Sequence, residues 1–221
     1  EIHERLVGSE MCIRDRVNPQ QWVKCAQAAG ATGILLTCKH HDGFCLWPSE
    51  YTSFSVKNTD FDGDIVKMVS DACHDAGLDF GVYLSPWDMH EPTYGTPEYN
   101  DYFCNQLTEL LSNYGPVSEV WFDGAKGANA KAFEYDWQRY YALIRKLQPE
   151  ANIAVCGPDI RWVGNEGGKT RKSEFSVVPA AMTNAEKTSE NSQHADADAS
   201  KMQNLTSVSY THLRAHETLM N

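Results

Sequence analysis

Two carboxylates stand out in this chain because of where they fall. Asp123 ends the run Val117-Ser118-Glu119-Val120-Trp121-Phe122 and leads into Gly124, so a rigid strand delivers it to whatever lies beyond the strand end. Glu166 sits in Arg161-Trp162-Val163-Gly164-Asn165-Glu166-Gly167-Gly168, where the flanking glycines let backbone approach a ligand closely. Each alone has a plain structural role open to it: an aspartate caps the next turn, and a glycine-flanked glutamate marks a surface loop. As a pair among aromatic residues they suit glycoside hydrolysis, one acting as nucleophile or base and the other as acid across the scissile bond. Trp47, Trp87, Trp121, Trp162, Tyr83 and Phe44 fall at or beyond strand ends, where rings stack on sugar faces, although such residues equally fill cores. His40-His41-Asp42 follows the first apolar run. Adjacent histidines on an extended chain point different ways, and neither HExxH nor a third ligand stands nearby, so hydroxyl recognition is favoured over a metal site. No cofactor or metal is expected. His74 reads as a helix-surface residue and His90 as a loop residue.

These side chains need a scaffold to place them, and the periodicity supplies one. Asn18-Pro19 opens a helix through Trp22, Val23, Cys25, Ala26 and Ala29 to Gly30, with an N-cap and a proline in the first turn. Thr32 to Cys38 is a short continuous apolar run, the mark of a strand buried on both faces. A polar, aromatic-rich loop follows to about Thr59. The pattern recurs with a helix from Ile65 to Gly77 after an acidic start and a strand over Phe80 to Leu84. It recurs again with a helix from Thr96-Pro97 to Gly115 and a strand over Val117 to Phe122. A fourth helix near Ala132 to Leu147 leads into a strand at Ile153 to Cys156. Strands alternating with helices, roughly every 35 to 40 residues, predict βα units around a parallel sheet. Doubly wound sheets and (β/α)8 barrels share this alternation. No GxGxxG or GxxxxGK[ST] follows any strand, so the usual nucleotide-binding signals are missing. His, Asp, Tyr, Trp and Glu collect past the C-terminal strand ends, where barrel enzymes build their active sites. The expected fold is α/β, about four βα units of a (β/α)8 TIM-like barrel. After Ser173 the sequence is polar and aperiodic through Asp198.

Composition removes other classes. The chain has 221 residues, 19 basic against 30 acidic, and 42% hydrophobic residues. That suffices for one core. An acidic balance with pI near 5.1 leaves no basic track for a nucleic acid, and no apolar run reaches the roughly 20 residues of a membrane helix. Seven scattered cysteines never form CxxC, which suggests neither a disulfide framework nor a zinc knuckle.

The termini have a separate origin. CTC GTG GGC TCG GAG ATG TGT ATA AGA GAC encodes Leu6 to Asp15, and its reverse complement, GTC TCT TAT ACA CAT CTC CGA GCC CAC GAG, encodes Val208 to Glu217. The two ends are thus readable as opposite strands of one DNA segment, which resembles a transposon-type sequencing adapter. Residues 1–16 and 208–221 are therefore expected to be adapter-derived, leaving 17–207 as a partial glycosidase catalytic domain.

Several stretches together resemble glycoside hydrolase family 29, the α-L-fucosidases. They are Leu36 to Ser49 (LTCKHHDGFCLWPS), Gly81 to Trp87 (GVYLSPW), Asn113-Tyr114-Gly115-Pro116, and Val120-Trp121-Phe122-Asp123-Gly124. The resemblance implies a barrel and a retaining exo-mechanism through a covalent fucosyl-enzyme, with Asp123 as nucleophile. It implies that His40, His41, Tyr83 and Trp121 contact fucose, with Trp47, Trp87 and Arg161 also assigned to substrate binding. Glu166 is the expected acid/base, with Glu174 in reserve, in a version similar to that of enzymes cleaving α-1,3/1,4 branches. The implied partner is a fucosylated oligosaccharide or glycoconjugate, and the family suggests export. A first strand with its own sugar-binding histidine is expected before Val17, with further strands after residue 207, so the 221-residue chain alone is expected to fold poorly and be inactive. A non-catalytic fucose-binding relative, another glycosidase on the same barrel, and a metal-dependent hydrolase built on His40, His41 and Asp123 are the alternatives.

Overall fold

Asn18 accepts a hydrogen bond from the Gln21 amide and Pro19 follows it, so helix α1 runs Pro19–Ala28. In the computed structural model, which describes residues 17–123, 133–155 and 158–160, strand β1 (Gly33–Lys39) comes next. A long loop follows, with a short 3-10 turn at Val56–Asn58. Asp64 then caps helix α2 (Ile65–Asp75) by accepting from the Lys67 amide. Strand β2 (Asp79–Leu84), helix α3 (Tyr99–Asn113) and strand β3 (Glu119–Phe122) continue the alternation. Helix α4 (Trp137–Leu147), capped by Asp136, precedes strand β4 (Asn152–Val155).

The four strands are parallel and lie in chain order, β1-β2-β3-β4. Right-handed crossovers that always step the same way set every connecting helix on one face of the sheet. A doubly wound sheet instead reverses its order at a switch point. No reversal occurs among these strands, so the arrangement is that of a barrel segment, a choice the alternation alone left open.

One face of the sheet is sealed. Phe80, Val82, Leu84, Val120, Phe122 and Ile153 are at most 1% exposed and share a core with Val66, Val69 and Cys73 of α2, Phe103, Leu107 and Leu110 of α3, and Tyr140 and Ile144 of α4. Each such large apolar side chain contributes roughly 1.5–3 kcal/mol by leaving water. On the opposite face β1 departs from the expected two-sided burial, with Leu35 41% exposed and Thr37 exposed, whereas Tyr83 and Ala154 are buried. Nothing among the described residues covers that part of the sheet.

The fourth helix begins five residues later than its periodicity predicts. Phe133 and Tyr135 look like the start of an apolar helical stripe, yet residues 133–136 form no helix, and Phe133 packs edge-on against Tyr94, Tyr99 and Tyr135. Asn100 holds the segment by accepting from the Asp136 amide and the Tyr140 hydroxyl. Tertiary contacts override local propensity here.

Candidate active site

Register decides which side chains meet. Thr37, Tyr83, Trp121 and Ala154 form one row across the four strands, so Tyr83 and Trp121 share the face turned away from the helices. Asp123 follows β3 directly. The Tyr83 hydroxyl donates to Asp123 Oδ2 at 2.7 Å. Burial, and then this hydrogen bond, push the tyrosine well above its ordinary pKa, so it stays protonated and remains a donor. The tail of β1 supplies the histidines. His40 stacks parallel to Tyr83 with ring centroids 5.8 Å apart, His40 and His41 lie 4.0 Å apart, and His41 stacks on Trp87 at 4.6 Å. Burial lowers the His41 pKa and nearby His40 adds to that, while Asp123 and Asp42 act in the other direction. His41 is therefore a neutral ring at neutral pH.

His40, His41 and Asp123 offer ligand atoms within 4.8 Å of one another, the one such group among the described residues. Two chain-adjacent histidines and a carboxylate already bonded to a tyrosine can equally take the hydroxyls of a polyol. They lie past the C-terminal strand ends, where the sequence places polar residues, but the two histidines do not point apart as expected, and Asp123 stands beside both. Arg161, Glu166 and Glu174 lie outside the described residues. Trp121 is half-buried on the site face.

Trp47 is a correction. It is 1% exposed, and its indole N–H donates to Glu109 Oε2 of α3 at 2.8 Å. The same carboxylate accepts from the Ser49 hydroxyl and the Glu50 amide. Trp47 thus pins the long loop to a helix, and its ring offers no face to a sugar. His74 is likewise less of a surface residue than predicted: its Nε2 lies 3.0 Å from the Pro116 carbonyl oxygen and its ring packs edge-on to Phe80.

Beneath the histidines lies an ion pair that the sequence reading passes over. The register shifts between Thr37 and Lys39, an irregularity that re-aims the side chain next to it. Cys38 and Lys39 are consecutive, yet both are fully buried. The Lys39 ammonium donates to Asp88 Oδ2 at 2.8 Å and to Gln106 Oε1 at 2.9 Å. The rings of Tyr99, Tyr102 and Phe103 surround it, with centroids 5.3–6.0 Å away. Asp88 Oδ1 accepts from the amides of His90 and Glu91. The pair therefore ties the end of β1 to the loop after β2. A lysine between Cys38 and His40 carries no pattern that announces this role.

Gly43 closes the histidine turn with its amide donating to the His40 carbonyl at 3.1 Å. Its φ is +85°, and a Cβ there would run into Asp88 Oδ1 and lie 2.8 Å from His90 Cβ. Gly43→Ala is expected to destabilise the protein by at least about 2 kcal/mol, from left-handed backbone strain plus the collision. A urea midpoint unchanged within error would refute it.

A carboxylate held by a tyrosine at a barrel strand end, beside paired histidines and an aromatic platform, is the kind of site glycoside hydrolases build. The comparisons agree. The sequence model of the alpha-L-fucosidase family matches residues 11–214, and the chain belongs to that family. It is 50% identical over 166 residues to alpha-L-fucosidase 1 of Arabidopsis thaliana, covering 73% of this chain and 33% of that one. A fucose complex of a Ruminococcus gnavus family 29 fucosidase superposes with a TM-score of 0.68 at 36% identity, covering 77% of this chain and 41% of that one. A family 29 glycoside hydrolase from a rumen bacterium superposes with a TM-score of 0.67 at 41% identity, covering 79% and 36%. The chain thus spans about a third of the length of the Arabidopsis relative. These neighbours also bear out the (β/α)8-type fold, of which the chain holds a part.

Proposed function

We propose that the full-length protein is a retaining exo-α-L-fucosidase that releases terminal α-L-fucose from glycans, with α-1,3/1,4-linked branches as its substrates. The observation that carries this reading is the convergence of His40, His41 and Tyr83 on Asp123 in a chain of this family. Asp123 attacks the anomeric carbon while Glu166 gives its proton to the departing glycosidic oxygen. A covalent fucosyl-Asp123 results. Glu166 then takes a proton from water, which displaces Asp123 from the same carbon. The histidines, Trp87 and Trp121 bind the sugar, with Arg161 beside Glu166 in sequence. Residues 17–207 form the enzyme's own sequence, flanked by adapter-derived ends.

Asp123→Gly in the full-length protein tests the covalent step. Azide is expected to restore turnover of an aryl α-L-fucoside and to yield the β-fucosyl azide, since the anion enters the vacated face. An α-azide product, or no rescue with the fold intact, would remove Asp123 from the nucleophile's role. Tyr83→Phe removes one donor to that carboxylate and is expected to lower kcat/KM about 10- to 100-fold, because a hydrogen bond to a charged group is worth ~1.5–3 kcal/mol. Unchanged kinetics would show that the tyrosine is a spectator.

A further inference from the structure

Ser85 stands just past β2, is fully buried, and its amide donates to the Lys39 carbonyl at 3.0 Å. Its hydroxyl oxygen has two partners, each at 2.7 Å: His41 Nδ1 and the Trp87 carbonyl oxygen. A serine hydroxyl carries one proton. The Trp87 carbonyl can only accept, so that proton goes to it. The contact to His41 is then filled in only one way, with Nδ1–H donating to Ser85 Oγ. The opposite assignment would leave two oxygens 2.7 Å apart with no hydrogen between them.

We infer that Ser85 is a positioning residue that fixes the tautomer of His41, leaving Nε2 as a hydrogen-bond acceptor for a substrate hydroxyl. The inference rests on the proposed function for the identity of the ligand, and on the hydrogen-bond geometry alone for the tautomer. The rest of the surroundings hold the same ring still. The Met89 amide donates to the His41 carbonyl at 2.8 Å, and Trp87 stacks on the imidazole. Lys39, whose carbonyl receives the Ser85 amide, is anchored by Asp88 and Gln106. The titratable groups facing His41 are His40 and Asp42 on its own loop and Asp123 after β3. A second-layer partner that sets which imidazole nitrogen carries the proton decides what the other nitrogen recognises. With Nε2 bare, His41 accepts a hydrogen bond from a sugar hydroxyl and offers none to an acceptor such as a carbonyl or ether oxygen. An Nε2–H tautomer would invert that preference.

The tautomer is measured directly by 15N spectra of the full-length enzyme labelled at histidine, with the His41 signals assigned by their loss in His41→Gln. The expected result is a protonated Nδ1 and an unprotonated Nε2, whose resonance moves when α-L-fucose is added. A protonated Nε2 in the resting enzyme, or an Nε2 signal indifferent to fucose, would overturn the inference. Ser85→Ala is then expected to populate the other tautomer and raise KM for an aryl α-L-fucoside about tenfold, the usual range for one lost neutral hydrogen bond with its partner left buried. A purely structural serine would leave the tautomer signals where they were. Should Ser85→Ala not fold, the spectrum of the unsubstituted enzyme still decides. Hydrolysis of the aryl fucoside, assayed separately, decides the fucosidase reading, so the two can fail independently.

Discussion

Asp123→Asn in the full-length protein is expected to cut kcat/KM on an aryl α-L-fucoside by at least about a thousandfold, while leaving the protein folded and able to bind fucose. A loss of that size corresponds to ~4 kcal/mol of barrier, which is reasonable when a covalent route is closed and none replaces it. The substitution is chosen for what it keeps. The side-chain oxygen of asparagine can still accept from the Tyr83 hydroxyl, so the 2.7 Å contact that anchors position 123 survives. Only the nucleophilic charge is lost. Paired measurements of turnover and of fucose binding separate the enzyme from the lectin-like alternative. Activity within tenfold of the parent would sink the assignment of Asp123, and loss of binding together with activity would point to a folding defect instead.

Lys39→Ala is expected to destabilise the protein by about 3–5 kcal/mol, since it leaves the Asp88 carboxylate buried without its cation. Both side chains of the pair are 0% exposed, so solvent gives no relief. Substitutions at the two positions are therefore expected to be non-additive. Replacing both members by apolar residues of similar size, Lys39→Met with Asp88→Leu, is expected to cost less than the Lys39 substitution alone, although the amides of His90 and Glu91 then lose their acceptor. Urea midpoints for Lys39→Met, Asp88→Leu and the double variant complete the cycle. Additive losses would mean that the two residues act independently, against the contact seen. Because the pair joins the end of β1, which leads to His41, to the loop that carries Trp87, the single variant is also expected to raise KM for fucosides more than it lowers kcat.

Much of this architecture is legible in the residues. Asn18-Pro19 and Asp64 announce their helices, and both act as caps. The apolar runs at Ile34, Phe80, Val120 and Ile153 all lie in strands. Asp123, His40 and His41 stand out because polar residues directly after buried strands have few structural reasons to be there. The misses share a physical cause, which is that side-chain direction and partners across the fold are invisible locally. Trp47 reads as a sugar platform until Glu109, 62 residues away, is seen to hold its indole. Lys39 reads as an ordinary strand-end lysine until the register shift turns it inward. Ser85 is only one letter of the Gly81 to Trp87 stretch until its hydroxyl is seen to donate to the Trp87 carbonyl and to face His41 Nδ1. The order of strands, which separates a barrel from a doubly wound sheet, is likewise a long-range property.

The open inner side of β1, where Leu35 stands 41% exposed, has a practical corollary. β1 and β4 end the sheet, each pairing with one strand only among the described residues. Such edges are docking templates, each a row of backbone donors and acceptors. Supplied as two separate polypeptides, this stretch and one bearing the missing strands would have reason to find each other. Turnover of a fluorogenic fucoside on mixing the two would report that reassembly.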